Sequence, residues 1–190
     1  MKPTYRYKFL RKGMKSANGN LRAWKLNQWR KHEGQVSLCS AGFHCSVGAY
    51  QAFSYVHGGI LARVEVRGES EIDNTKEVYS EMRVVQAWKW TKADSVALAI
   101  YAAELVIKLF EQKYPDDKRP RKAIQAAKAW LKNPTEENRK KASSAAYYAA
   151  YAASSAAYSA AYYAAAAKEE LYAKLDKWME RRISKLEQIT

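Results

Sequence analysis

The sequence predicts an α+β protein: a small, mostly antiparallel sheet module followed by a helical region that ends in one long Ala/Tyr-rich α-helix. Three observations favour this class. Apolar and polar residues alternate with a period of two over 60–67. Apolar residues follow helical spacing after Asp94, and no Gly or Pro follows Pro134. The composition therefore predicts a basic α+β module over 1–93 and a helical region over 94–190.

The module is predicted to start with a strand over 5–11, because aromatic and basic side chains alternate there and occupy opposite faces. The further elements predicted in the module are strands over 21–29 and 35–39, a segment opening at Phe43, a helix over 49–56, a strand over 60–67 ended by Gly68, and one or two strands over 77–90.

The helices predicted in the second region cover 94–114, 120–132 and about 134–188. The inner face of the first is predicted to carry Val96, Leu98, Ala99, Ala102, Leu105, Val106 and Leu109. Asn133 as N-cap, Pro134 at the first helical position and Glu136 at the third predict the start of the last helix.

The last helix contains an internal repeat, SSAAYYAAYAA at 143–153 and SSAAYSAAYYA at 154–164. A period of eleven residues stays nearly in line along a straight helix. The residues predicted on one face are Tyr147, Tyr151, Tyr158 and Tyr162. This face is interpreted either as a packing surface, against the chain itself or a second copy, or as a partner-binding surface.

Positive charge is concentrated at the amino-terminal end of the chain. The formal net charge is +14, and residues 1–31 contain ten Lys or Arg and no acidic residue. Such a field favours an anionic partner, although a solubilising surface is the alternative. The candidate anion-binding residues are Arg6, Lys8, Arg11, Lys12, Arg22, Lys25 and Arg30.

Cys39 and Cys45 are predicted to be free, buried thiols, since two cysteines do not make a disulfide scaffold. Only His44 lies between them, so neither a metal site nor another cofactor is expected. No signal-peptide apolar region follows the basic start, and the stretch 142–167 is too weakly hydrophobic for a membrane span. A cytoplasmic location is therefore expected.

A motif in the first half, Cys39-x-x-Gly42-Phe43-His44-x-Ser46, supports a resemblance to an uncharacterised family of short phage and prophage proteins. Other segments that carry this resemblance are Tyr7-Lys8-Phe9-Leu10, Lys15-Ser16, Ala52-x-x-Tyr55-Val56 and Val64-Glu65-Val66-x-Gly68. Members of that family often carry Ala/aromatic/Ser helical tails similar to the one in this chain.

Arg6, Ser46 and Glu81 resemble, in order and spacing, the Arg/Ser/Glu layout of ADP-ribosyltransferase folds. His44, with Tyr50 or Tyr55 and Glu81, is similar to the His/Tyr/Glu variant of that layout. The resemblance implies that the Arg or His holds a dinucleotide, that the Ser supports the strand, and that the Glu stabilises the ribosyl cation.

The second half resembles helical immunity-like domains of bacterial polymorphic-toxin systems. The segments that carry it are Ala102-Ala103-Glu104-x-Val106, Phe110-Glu111, Tyr114-Pro115-Asp116-Asp117-x-Arg119-Pro120-Arg121-x-Ala123-Ile124 and Ala127-x-Ala129-Trp130. In the same run, Asp116, Asp117, Arg119 and Arg121 are predicted to form a local salt-bridged loop.

Three functional hypotheses follow. The first is a non-catalytic binding or inhibitor protein of phage anti-defence or immunity type, acting in a bacterial host by contact with a toxin or a host defence component. The alternative is a binder of RNA, DNA or a nucleotide signal through the basic module, and the second alternative is an ADP-ribosyltransferase-like enzyme. No membrane partner is expected, and the Ala/Tyr helix offers a route to a homo-oligomer.

Overall fold

A computed structural model describes residues 2–19, 22–56, 58–144 and 165–190. The chain divides into two compact units: the first comprises Met1–Thr91 with Asp176–Thr190, and the second comprises Lys92–Leu175. An antiparallel sheet followed by helices confirms the α+β class. Asp176–Thr190, which the sequence division assigned to the helical region, is part of the first unit.

The first unit is built on one sheet. Its strands within the described residues are β1 (Thr4–Leu10), β2 (Arg30–Lys31), β3 (Phe43–Cys45), β4 (Ile60–Ile72) and β5 (Glu77–Lys89). The strand order is β1-β4-β5-β2, and β3 pairs with β5. Ser46, which follows β3, exchanges two backbone hydrogen bonds of 2.9 Å with Tyr7 of β1. The segment 43–46 thus closes the curled sheet between β1 and β5.

The alternation predicted for β1 positions two different sets of side chains. Residues directly opposite each other on antiparallel strands point to the same face. Lys8 lies opposite Ala62 and Leu10 opposite Ile60, so both share the face of the main apolar cluster. On the other face, Phe9 packs edge-on against Phe53 of α1 (Ala49–Tyr55), with ring centroids 5.3 Å apart. The basic face of β1 therefore points towards a core rather than away from the protein.

The strands predicted over 21–29 and 35–39 are wrong where the structure describes those residues. Residues 22–29 wrap over the sheet as a loop, held by a backbone bond of 2.7 Å from Trp24 to the Met14 carbonyl. Residues 37–41 form a turn closed by backbone bonds between Ser37 and Ala41. The apolar residues that suggested strands are buried because these loops cover the core, as Trp24 and Val36 do.

Gly68 does not end β4, contrary to the sequence prediction. The strand continues to Ile72, and its register with β5 shifts between Arg67 and Ser70. Gly68 has a φ of +85°, which a glycine adopts without strain. A glycine in a strand can mark a bulge as well as an end, and here it marks a bulge. Residues 77–89 form one strand, which agrees with the simpler of the two predictions.

The second unit contains α2 (Lys92–Lys113), α3 (Arg119–Lys132) and helical residues 136–144, named α4. The core between α2 and α3 consists of Ile100, Ile107 and Ile124, flanked by Val96, Ala103, Ala127 and Leu131. The predicted inner face of α2 is partly wrong. Leu98 is buried, but Ala99, Val106 and Leu109 are exposed. Two apolar stripes on α2 have helical spacing, and only the packing of α3 selects between them.

The start of α4 lies two residues later than predicted. The Thr135 hydroxyl oxygen accepts a hydrogen bond of 3.2 Å from the Asn138 backbone N–H, so Thr135 is the cap in place of Asn133. The helix α5 (Ala165–Ile183) ends five residues before the predicted 188. Beyond it, the backbone of 187–189 bonds to β5 at Ala87 and Lys89.

Residues 145–164, which hold most of the Ala/Tyr repeat and all four tyrosines of the predicted stripe, lie outside the described residues. The prediction of one continuous helix and of a tyrosine face therefore stays a prediction. Across the described ranges, no helix combines the length and the apolar character that a bilayer crossing requires.

Candidate functional site

The first unit contains a cavity of about 570 Å³ beside β1 and β3. Lys8 of β1 lines one side, the loop 39–46 lines another, and Tyr55 of α1 and Lys76 close the rim. A volume between about 300 and 1,000 Å³ is typical of small-molecule sites. The cavity is therefore large enough for a ligand of the size of a metabolite.

The described residues that line the cavity carry positive charge without a carboxylate. Its lining includes the cations Lys8, Arg30 and Lys76, and no described lining residue is Asp or Glu. Walls of one sign in a site of low dielectric concentrate the electrostatic field. The cavity therefore favours an anionic ligand.

Lys8 lies at the centre of this charge. Its amine donates a hydrogen bond of 2.6 Å to the His44 carbonyl oxygen. Burial lowers the pKa of Lys8 to about 8, because the charged form loses solvation. Lys8 is thus cationic at neutral pH, and an ammonium has three N–H donors, of which one is used here.

His44 is held as a neutral ring. Its Nε2 accepts a hydrogen bond of 2.8 Å from the Cys39 backbone N–H. Burial lowers the pKa of His44, and the nearby Lys8 and Lys76 ammonium groups lower it further. A ring nitrogen engaged with the backbone is not free to act as a base or a metal ligand. His44 therefore fixes the turn that precedes β3, as a structural histidine does.

The two cysteines occupy different surroundings. Cys39 is exposed, with a φ of +65°, and Lys76 Nζ donates to its sulfur over 2.6 Å. Cys45 is buried, and its burial raises its pKa to about 12. The expectation of free thiols is met within the described residues, while the expectation that both are buried is wrong for Cys39.

Arg30 contributes a stacked guanidinium to the cavity. Its Cζ lies 4.1 Å from the centroid of the Trp24 ring. It donates to the carbonyl oxygens of Arg22, at 3.1 Å, and Ala23. Burial lowers the pKa of Arg30, and Arg22 adds to this effect. These contacts orient the cation without neutralising it.

The residues of the ADP-ribosyltransferase layout are only partly brought together. Arg6 forms an ion pair with Glu77, with Nε 2.5 Å from Oε2. Ser46 is adjacent to β1 near Arg6, because its backbone exchanges hydrogen bonds with Tyr7, the residue after Arg6. Glu81 instead accepts a bond of 2.9 Å from Arg67 Nε. The carboxylate beside Arg6 is therefore Glu77 rather than Glu81.

The other candidates lie at different places. Tyr55 lines the cavity. Tyr50 is not among the described lining residues, and its backbone N–H donates a hydrogen bond of 2.6 Å to Asp176 Oδ1 of α5. The exposed members of the predicted anion-binding set are Arg11, Lys12, Arg22 and Lys25. In the described part of the chain, no three His, Cys, Asp or Glu side chains are grouped as a metal site would need.

Two family models match the chain. Residues 4–95 match "Domain of unknown function (DUF7666)", and residues 89–168 match "Imm-5 like putative immunity protein". No curated protein and no solved structure matches it. The resemblance of the second half to immunity-type domains is therefore confirmed. The resemblances of the first half to phage proteins and to ADP-ribosyltransferases stay predictions.

The Imm-5-like region contains only part of the salt-bridged loop predicted for Asp116, Asp117, Arg119 and Arg121. Arg119 contacts Asp117 through two side-chain hydrogen bonds, of 2.9 and 2.6 Å. Arg121 pairs with Glu111 of α2 instead of with the loop, and Lys128 pairs with Glu104 over 2.5 Å. Part of the sequence run that resembled immunity domains thus stabilises the α2–α3 pair.

Two residues that line the cavity, Lys76 and His32, and the partner of Arg6, Glu77, were not among the candidates. Lys76 follows β4 in a turn, 37 positions after Cys39, and contacts it only through the fold. Glu77 gave no sequence signal that favoured it over Glu81, the other acidic residue of β5. His32 belongs to the loop before β3, where no pattern pointed to it.

Proposed function

We propose that the protein is a non-catalytic binding protein of immunity type that acts by protein–protein contact on a toxin or a host defence component. The match of residues 89–168 to an immunity-protein family supports this proposal most strongly. The resemblance of the first half to phage and prophage proteins favours a phage or prophage origin and a role in the cytoplasm of the bacterial host.

Two surfaces are candidates for the partner contact. On α2, Val106 and Leu109 are 43% and 68% exposed and present apolar area next to each other on the helix. The α2–α3 core uses the other stripe of α2, so these two side chains are not part of it. The second candidate surface is the predicted tyrosine stripe, because tyrosine combines contact area with a hydroxyl at low entropic cost.

The experiment is capture of partners from toxin-expressing or infected cells with the tagged full chain, after nuclease treatment. The affinity of the purified partner is then measured for Tyr151→Ala, Tyr158→Ala and Leu109→Asp. Tyr148→Ala and Tyr163→Ala are matched controls, because they change the same residue type in the same tract away from the stripe. We expect a loss of about tenfold or more for variants in the contact surface.

Equal affinity for the stripe variants and their controls would reject the tyrosine surface. Unchanged affinity for Leu109→Asp would reject the α2 surface. If no protein is captured after nuclease treatment while nucleic acid is recovered without it, the proposal of a protein partner fails.

A second candidate function is anion binding by the first unit. The observation that favours anion binding is the cavity, because none of its described lining residues carries a carboxylate. The salt dependence of binding separates this candidate from the first, since neutralising phosphates releases counterions and gives a steep slope.

The enzyme hypothesis is tested by NAD consumption with and without Glu81→Gln. We expect no consumption above the rate of a buffer control, because Arg6 pairs with Glu77 and Glu81 pairs with Arg67. Turnover abolished by Glu81→Gln would instead establish the enzyme.

A further inference from the structure

Three features of the cavity bear on what it binds. Two ammonium groups meet around His44: Lys8 donates to its carbonyl oxygen, and Lys76 contacts the sulfur of Cys39, whose backbone N–H donates to the His44 ring. One already donates to a carbonyl oxygen and the other to a thiol sulfur, so each keeps further N–H donors for an anion. Lysine ammonium groups are common phosphate binders.

The carboxylates of Glu71, Asp73 and Glu77 do not line the cavity, and each holds another hydrogen-bond partner. Glu71 accepts a bond of 2.8 Å from the Leu38 backbone N–H, and Asp73 accepts one of 2.7 Å from Asn74. Glu77 is paired with Arg6. The described lining itself therefore holds the cations of Lys8, Arg30 and Lys76 and no carboxylate, and an anionic ligand would complement them.

Aromatic rings stand beside the cations. Tyr55 is half-exposed at the rim, and Lys76 Nζ lies 5.6 Å from the centroid of its ring. Phe43 lines the interior and packs edge-on against Trp24, with centroids 5.4 Å apart. Aromatic rings next to cations suit a planar base joined to a phosphate, because the rings contact the base while the ammonium groups bind the anion.

We propose that this cavity binds a free nucleoside phosphate, with the phosphate held by Lys8 and Lys76 and the base placed against Tyr55 and Phe43. The cavity is of metabolite size, which favours a mononucleotide over a nucleic-acid strand. The inference deepens the second candidate function and does not depend on the immunity-type proposal.

The test uses isothermal titration calorimetry on the full chain at pH 7, with AMP, adenosine and inorganic phosphate as separate probes. We expect AMP to bind about tenfold more tightly than either adenosine or phosphate. Lys76→Met should weaken AMP binding about tenfold. Lys2→Met is the matched control, since it removes the same charge from an exposed position of the same unit outside the cavity, and it should leave the affinity within about twofold.

Cys39 gives a readout on the unmodified chain, because it is exposed and lines the cavity. Saturating AMP should slow alkylation of Cys39 by iodoacetamide several-fold, whereas the same concentration of adenosine should not. This measurement holds even if Lys76→Met fails to fold.

Four results would overturn the inference: no AMP binding at millimolar concentration, adenosine binding as tightly as AMP, equal losses for Lys2→Met and Lys76→Met, or no protection of Cys39. A single-stranded oligonucleotide that binds with a steep salt slope while AMP does not would also reject the cavity as the site. Anion binding by the first unit would then remain a candidate function, carried by the exposed basic residues Arg11, Lys12, Arg22 and Lys25.

Discussion

Arg6 and Glu77 are 71 positions apart in sequence, yet Arg6 Nε donates to Glu77 Oε2 over 2.5 Å. The pair joins β1 to β5, two strands that are not neighbours in the sheet order. Glu77 is 3% exposed and also accepts a bond of 2.7 Å from the Tyr79 hydroxyl. The carboxylate raises the pKa of Arg6. The curl of the sheet thus encloses a charged pair that is satisfied by its own neighbours.

Glu77→Gln should destabilise the first unit by about 3 kcal/mol, because it leaves the Arg6 charge with a neutral partner inside the sheet. Urea unfolding followed by tryptophan fluorescence measures the change. Glu69→Gln, at an exposed position of β4, is the control and should change the unfolding free energy by less than about 0.5 kcal/mol. Equal effects of the two substitutions would contradict a structural role for the pair.

Gly42→Ala should destabilise the first unit by roughly 2 kcal/mol or more. Gly42 has a φ of +102°, and an added Cβ would lie 2.7 Å from Val78 Cγ2 and 3.2 Å from the Tyr79 carbonyl oxygen. Gly34→Ala separates backbone strain from steric crowding, since Gly34 has a φ of +94° but nothing within 4 Å of the added carbon. Thermal unfolding should show the larger loss for Gly42→Ala, and a larger loss for Gly34→Ala would refute steric crowding as the reason.

The two thiols should differ in reactivity under native conditions. Cys39 is exposed, whereas Cys45 is buried with its pKa raised to about 12. The thiolate is the reactive species, so Cys45 should not react at pH 8 until the chain unfolds. Mass spectrometry after iodoacetamide should find one adduct in the native protein, two in denaturant, and none in native Cys39→Ser. Two adducts on the native chain would show that Cys45 is accessible.

Lys8 should make stability rise with pH just above neutrality. Its folded-state pKa of about 8 lies below the ordinary value of 10.5, so the unfolded chain binds more protons between these values. The unfolding free energy of the wild type, relative to Lys8→Met, should therefore increase by about 1 kcal/mol from pH 7 to pH 9.

The Lys8 comparison must be made against the variant because two other groups act in the opposite direction. The pKa values of Cys45 and Tyr79 are both raised to about 12, so their contributions are lost as the pH rises towards 12. Urea titrations of both proteins at pH 7, 8 and 9 provide the measurement. A constant difference between them across this range would mean that Lys8 titrates normally.

The strands of the sheet could be predicted where apolar and polar residues alternate along a short segment. The cavity could not be predicted, because distant segments of the chain form it. The alternation over 60–67 reports a strand that is buried in the sheet, and it predicts β4 well. The loop 22–29 shows comparable apolar residues, but Trp24 is buried by a contact with the chain around Met14 rather than by a strand partner. No periodicity distinguishes these two situations.

The cavity depends on contacts across large sequence separations. Lys8 was a candidate because of the charge of its segment, but its position inside the curl follows from the pairing of β1 with β4. Lys76 meets Cys39 only because β5 pairs with β3. In α2, the residues that pack on α3 are one of two possible apolar stripes, and the sequence of α2 alone does not choose between them.

The first unit is interrupted in sequence by the second, because its last part is Asp176–Thr190. On the ribosome, the amino-terminal strands emerge early but wait for 187–189 to bond to β5 at Ala87 and Lys89. The inserted helices leave the exit tunnel before that segment, so they have the chance to fold first. Completion of the first unit thus depends on synthesis of a segment that follows the whole insert, and a nascent chain stalled inside the insert carries a β5 whose end is still uncovered.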